Sequence, residues 1–260
     1  MLPEPISAIS YPPAPTDVGL VFALSIESGG LADSLADVRV TQGDGFTVRQ
    51  GEVHGRHVVL IESGAGRAAA ARATHALLDA HRPRLVVSAG FGGGLDPGLT
   101  RGDLVVAQSI VDAVGRAWDA EPGTLPPWLA EVPRLRLGRL LTMDRIVRLP
   151  EEKLSLGGQH AAVAVDMESL AVAEVCRERG AAFLAVRVIN DAAEDELPPD
   201  VQRLVVQKTR TARLGAALGA ICRRPSSLKD MLQLQQRAIE DADRLAKFLL
   251  GVIDRSVTGT

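Results

Sequence analysis

Two stretches decide how this chain is read: Ala164-Val165-Asp166-Met167-Glu168-Ser169-Leu170, and the run Phe183-Leu184-Ala185-Val186-Arg187-Val188-Ile189 that leads into Asn190-Asp191. The second has the length and apolar continuity of a strand buried on both faces, and it delivers an acid, Asp191, at its carboxyl end. The first reads as a helix opening on Asp166-Met167-Glu168, which places two carboxylates and a thioether at the mouth of a sheet. Ligands of open α/β sheets bind at such strand ends.

Working outward, Val18 to Leu24 is a short apolar run suited to a buried strand. Thr47 to Val53 alternates with period two before His54-Gly55, a hairpin turn, and a second strand follows from Val58 to Glu62. Gly66 to Ala80 is Ala-rich and reads as a helix; Leu85 to Ala89 and Leu104 to Ile110 read as strands. A helix from Glu168 to Arg179 turns Leu170, Val172 and Val175 inward and is capped by Gly180. Arg116 to Arg134, with four prolines and both tryptophans, is expected to be a loop excursion. Two further helices are expected, Asp200 to Cys222 and Leu228 to Ile253. The domain reading is a flexible leader over 1–16, a catalytic domain over 17–222, and a C-terminal helical extension over 223–260 packed on it.

With 260 residues, 46% apolar and 23% charged, the chain has enough to bury a full core without a disulfide or metal staple. A net charge of −3 gives no electrostatic footprint for nucleic acid. Cys176 and Cys222 lack any metal or redox spacing, so both read as structural thiols and no zinc site is expected. The proline-rich start lacks the basic and apolar parts of a signal peptide. No apolar run approaches the ~20 residues of a membrane span. The expectation is a cytoplasmic protein that takes a small molecule and neither nucleic acid nor a membrane.

Four further pieces stand in order with the two opening stretches: Val18 to Ala23, Ser63-Gly64-Ala65-Gly66-Arg67, Ser88-Ala89-Gly90-Phe91-Gly92-Gly93-Gly94-Leu95, and Arg101-Gly102-Asp103-Leu104-Val105-Val106. Together they span roughly residues 18 to 195. In this order the chain resembles the nucleoside phosphorylase and nucleosidase superfamily, most closely its 5′-methylthioadenosine/S-adenosylhomocysteine nucleosidase branch. It is also similar to the hopanoid-associated nucleosidase/phosphorylase subfamily, in Ala164 to Ser169, in Leu197-Pro198-Pro199 after Asp191, and in Arg223-Arg224-Pro225 before a Leu-rich helix. Futalosine hydrolases share the pattern. The resemblance implies a three-layer α/β/α fold with a central mixed twisted sheet, a homodimer, no cofactor and no metal.

It also implies roles. Asp191 is the general acid that protonates the departing purine, and Glu27, just past the first strand, activates the attacking water. Met167 and Glu168 bracket the ribose. Gly90 and Phe91 line the space near the sugar, where the family usually has Ser in place of Phe91. Ile146 stands where the family places a base-stacking aromatic. Two carboxylates flanking a scissile glycosidic bond are the solution glycosidases use. Arg187, a charge inside an apolar strand, needs a buried partner and is expected to orient an acid. Asp166 is expected to be structural.

Charge argues for water over phosphate as nucleophile. No Arg or Lys lies between Val18 and Ala36, and Ser88 stands where family phosphorylases carry Arg. Gly64-Ala65-Gly66-Arg67-Ala68-Ala69 also fits a dinucleotide-binding turn, but the strand after it ends in Gly90 rather than the acid that would hold a cofactor ribose. A catalytically silent nucleoside sensor is the reading from another class; it has no need of Glu27 and Asp191 together.

Overall fold

The computed structural model describes residues 16–198 and 227–256. Its layers are set by the first strand, β1 (Val18–Phe22), whose successive side chains bury on opposite faces of the sheet. Val18, Leu20 and Phe22 join a core with Leu31 of α1 (Ser25–Ala32) and with Leu245, Phe248 and Leu249 of the C-terminal helix α5 (Ser227–Arg255). Val21 faces the other way. It packs with Ala70, Ala73 and Leu77 of α2 (Arg67–His81) and with Val172 and Val175 of α4 (Ser169–Glu178). Helices therefore cover both faces of one mixed sheet, the α/β architecture expected from the alternating elements.

One arm of the sheet runs from β1 through β4 (Arg56–Glu62) and β3 (Thr47–Val53) to the edge strand β2 (Ala36–Gln42). His54 and Gly55, at φ 50 and 75, turn β3 into β4 in the primed-turn conformation that matches strand twist. On the other side, β5 (Leu85–Gly94) pairs with β1 and with β10 (Phe183–Asp191), both parallel. The chain of pairings continues through β6 (Leu104–Asp112), β8 (Leu135–Thr142) and β9 (Ala164–Asp166), and β9 returns to β5. The sheet thus closes on itself at this end, a feature its sequence pattern did not reveal. A short β7 (Ala117–Asp119) flanks β6.

Several expectations are corrected in detail. The segment around Asp166 is not a helix start: Ala164–Asp166 forms a strand paired to β8 and β5, and the helix begins at Ser169. The reason is that Asp166 Oδ2 accepts the amide of Ser169 at 2.8 Å, acting as a cap from outside the helix. The loop excursion holds β7 and a 3-10 turn at Pro127–Glu131. α1, β2, β8, β9 and α3 (Pro150–His160) were not foreseen. The helix expected over 200–222 and the leader expected over 1–16 lie outside the described residues, except for Thr16, which is buried. Among the described residues no helix is long and apolar enough to cross a membrane.

Candidate active site

The glycine-rich end of β5 forms the floor on which the candidate acids are arranged. A Cβ on Gly90 would lie 2.7 Å from Glu27 Oε1, one on Gly92 3.1 Å from Arg187 Cβ, and one on Gly93 3.2 Å from Asp191 Oδ2. Side chains here would displace the acids or their partner. The run Gly90 to Gly94 is therefore a steric requirement of close approach, not of backbone freedom.

Glu27 is brought in by α1 rather than by a loop. Its Oε2 accepts the amide of Leu24 at 2.7 Å, closing the helix's first turn, and its Oε1 accepts the amide of Phe91 at 2.9 Å. Glu27 is 5% exposed. Burial pushes its carboxyl up, against the pull of those amides and of the Arg187 charge. Each carboxylate oxygen has a second lone-pair site, so a hydrogen bond to water remains open to it. Phe91 itself touches the site through its backbone, while its half-buried ring packs on the core.

Arg187, 2% exposed, spends its guanidinium inside the protein. Nη2 stands 2.6 Å and Nε 3.0 Å from Asp166 Oδ2, Nη2 also reaches Ser88 Oγ at 2.9 Å, and Nη1 donates to Val186 O at 2.8 Å. Asp166 Oδ1 accepts Thr142 Oγ1 at 2.7 Å. Although burial alone would push the Asp166 carboxyl up, Arg187 and these hydrogen bonds hold it below its ordinary value. Asp166 is thus an ionised strut between β8, β10 and α4. The geometry gives Arg187 the task of holding it.

Glu168 stands just before α4 and, making no capping bond of its own, turns its carboxylate toward the glycine turn after β4, where Gly66 N donates to Oε1 at 2.7 Å. Burial and the Asp166 charge push it up to about 8, with Glu27 adding to the rise. The turn that resembles a dinucleotide fingerprint therefore serves a carboxylate, and its amide is already engaged. Met167, half-buried, sits between the two acids, and Ile146 is half-buried in the loop between β8 and α3.

Asp191 stands apart. In register with Gly93 at the end of β10, its Oδ2 lies 2.6 Å from Lys153 Nζ of α3. Burial raises the carboxyl; Lys153 pulls it down and Asp195 adds to the rise. The cluster of Glu27, Asp166 and Glu168 is not among the groups that move it. Lys153 is the neighbour of Asp191 that sequence reading missed. It follows Pro150-Glu151-Glu152, which looks like an ordinary solvated helix start, and no periodicity marks it as interior. Pro150 at the first helical position was the available signal for α3 itself.

The other cation near the acids, Arg67, is taken up as well: Nη1 pairs with Asp112 at 2.9 Å, Nε with Asp144 at 2.8 Å, and Nη2 donates to Thr142 O at 2.6 Å. Asp112, with Arg67 and Arg116 against it, is held down at about 2. Cys176, on the buried face of α4, lies in the core, its thiol pushed up to about 12 by burial. Among the described residues no three His, Cys, Asp or Glu side chains gather into a metal-holding group.

Comparison with known proteins supplies the context for this arrangement. A family model described as the phosphorylase superfamily matches residues 17–221. The chain is 29% identical over 225 residues to the 5′-methylthioadenosine/S-adenosylhomocysteine nucleosidase of Tolumonas auensis, covering 77% of this chain and 98% of the relative. It is 32% identical over 202 residues to the protein of the same name from Actinobacillus succinogenes, covering 69% and 87% respectively. Among solved structures, the 5′-methylthioadenosine/S-adenosylhomocysteine nucleosidase of S. pneumoniae, bound to a transition-state inhibitor, matches with a TM-score of 0.70 at 18% identity, over 92% of this chain and 98% of that one. At that identity the likeness is one of fold.

Proposed function

We propose that this chain, which belongs to the phosphorylase superfamily, hydrolyses the N-glycosidic bond of a purine nucleoside of the 5′-methylthioadenosine/S-adenosylhomocysteine type. The relatives' names supply the substrate class, and the chemistry is argued from the site. Asp191 gives its proton to the departing purine as the C–N bond breaks and its electron pair moves to the base. Glu27 takes a proton from the water that attacks the anomeric carbon. Glu168 accepts hydrogen bonds from the ribose hydroxyls, Met167 lies against the sugar, and Ile146 borders the base.

One observation carries the choice of water over phosphate. Glu27 and Glu168 bring negative charge to the sugar whenever they ionise, while the neighbouring cations Arg187, Arg67 and Lys153 are each held by carboxylates of the protein. A cationic, oxocarbenium-like transition state gains from that field, and a phosphate dianion is repelled by it. Burial makes the Glu27 carboxylate a stronger base than an exposed one, and burial of Asp191 favours its protonated form. A homodimer and a cytoplasmic place belong to the same proposal on the family resemblance.

The test is a nucleoside panel incubated with purified protein, with and without phosphate. Adenine release from 5′-methylthioadenosine and S-adenosylhomocysteine, at a rate indifferent to phosphate, is the expected outcome. Failure of every purine nucleoside to react would leave the sensor reading standing.

A further inference from the structure

Lys153 is an interior lysine with no exposed surface. An ammonium is rarely buried unless each of its protons finds an acceptor. Here two go to backbone carbonyls of the loop after β10, Ala192 O at 2.8 Å and Asp195 O at 2.7 Å. The remaining charge faces Asp191 Oδ2 at 2.6 Å. That oxygen is sealed from solvent and has no hydrogen-bonding partner besides this ion pair, which leaves Oδ1 as the oxygen able to meet a ligand. The loop is stitched to the start of α3 a second time, by Arg148 Nε donating to Leu197 O at 2.8 Å. Asn190, the residue before Asp191, turns the other way, to Asp241 of α5 at 2.7 Å.

Resting on the reading of Asp191 as the proton donor, we infer that Lys153 is a positioning residue for the reaction: it fixes Oδ2, so that Oδ1 points to the base, and it compensates the carboxylate that remains when the proton leaves. The proton moves from Asp191 Oδ1 to the purine while Lys153 keeps its own three. A buried acid that ionises without compensation is a weak donor, since the negative charge it leaves has neither water nor a counter-ion. The charged groups acting on Asp191 are Lys153 from α3 and Asp195 from the adjoining loop. Asp195 is itself tied to Ala192 N at 2.8 Å. Lys153 is therefore the one opposite charge in ion-pair contact with the donor among the described residues.

A purely architectural lysine would hold α3 to the loop and do no more. The two roles separate in the pH profile. Lys153→Met and Lys153→Gln are compared with wild type in adenine release from 5′-methylthioadenosine, alongside Lys153→Arg and a double variant with Asp191→Asn. Loss of the ammonium should lower kcat about 10-fold or more with little change in KM. It should also move the basic limb of kcat/KM to higher pH, because Asp191 then keeps its proton longer. Lys153→Arg should restore the limb toward wild type. In the Asp191→Asn background, Lys153→Met should cause no further loss of kcat. Lys153→Gln keeps hydrogen-bonding capacity for the two carbonyls, so it reports on charge even where the Met variant fails to fold. An unmoved basic limb in the Gln variant, or losses that multiply in the double variant, would overturn the inference while leaving Asp191 as the acid. Full activity of Asp191→Asn alone would instead remove the reading on which it rests.

Discussion

Glu27, Asp166 and Glu168 share a single guanidinium, and Asp166 takes most of it; Asp191, at the other end of the glycine floor, has an ammonium to itself. The two ends therefore carry their charge differently. At the cluster, one carboxyl is held ionised and the other two are raised, so the site carries uncompensated negative potential whenever they ionise. At Asp191 a burial penalty is set against a counter-ion in contact. In the proposed reaction this division fits the work of each end, since positive charge develops on the sugar and a proton must leave for the base. Uncompensated charge favours the first step, and a compensated, buried acid favours the second.

The contrast breaks most sharply at Asp191. Asp191→Asn keeps the shape and removes the proton, so turnover should fall by about 10²–10⁴-fold while ligand binding stays nearly intact. Adenine release and inhibitor titration measure the two separately, and activity within a factor of a few of wild type would remove Asp191 from the acid role.

Glu168→Gln tests the opposite end. Above about pH 8, where Glu168 is ionised, replacing the charged acceptor by an amide should weaken binding and turnover together, by about 1.5–3 kcal/mol for each charge-assisted bond. Ribonucleosides should suffer more than 2′-deoxyribonucleosides. Equal losses for the two sugars would take Glu168 off the ribose hydroxyls.

Gly90→Ala probes the floor beneath Glu27. The new Cβ would sit 2.7 Å from Oε1 and 3.0 Å from Cδ, and the carboxylate is unable to retreat without giving up Leu24 N or Phe91 N. Overpacking of this kind costs about 1–3 kcal/mol, visible in denaturant unfolding, and turnover should fall with it. A variant of wild-type stability and rate would show that Glu27 moves freely.

A separate effect is on the pH dependence of stability. Burial and the Asp166 charge push Glu168 in the folded protein up to about 8 from an ordinary 4.5, so the folded state binds more protons than the unfolded one between those values. The stability it contributes is full below the lower value and is lost as pH rises through the higher. Glu168→Gln lacks this loss. Its Tm should exceed that of wild type above pH 8 and the gap should shrink toward pH 5, at about 2–4 °C for each kcal/mol in a protein of this size. A gap independent of pH would mean that Glu168 is ordinary in the fold.

What the sequence disclosed follows the same divide. β3, its turn and β4 were legible because period-two alternation and His54-Gly55 are local signals, and β10 because an unbroken apolar run of strand length is one too. α1 was not, since Ser25-Ile26-Glu27-Ser28-Gly29-Gly30 has poor helix formers. Its Gly30 serves instead to let α5 approach, a Cβ there lying 2.9 Å from Asp243 Oδ1. The short β9 was hidden inside what resembles a helix start, because a three-residue strand has too few side chains to show a period. At the site, Asp191 and Glu168 could be named from motif order, and Arg187 from the cost of a charge in an apolar strand. Lys153 could not be named, because its burial arises from a contact between α3 and a loop far along the chain, which no spacing records.

The central claim, that water opened by Glu27 is the nucleophile, is tested most directly by a single-turnover reaction on 5′-methylthioadenosine in ¹⁸O-labelled water containing phosphate, with mass analysis of the sugar product. The account predicts free 5-methylthioribose carrying one labelled oxygen, with the label and the rate unaffected by phosphate, and no product from Glu27→Ala even when phosphate is added. An unlabelled sugar 1-phosphate, formed at a rate that saturates with phosphate, would contradict it.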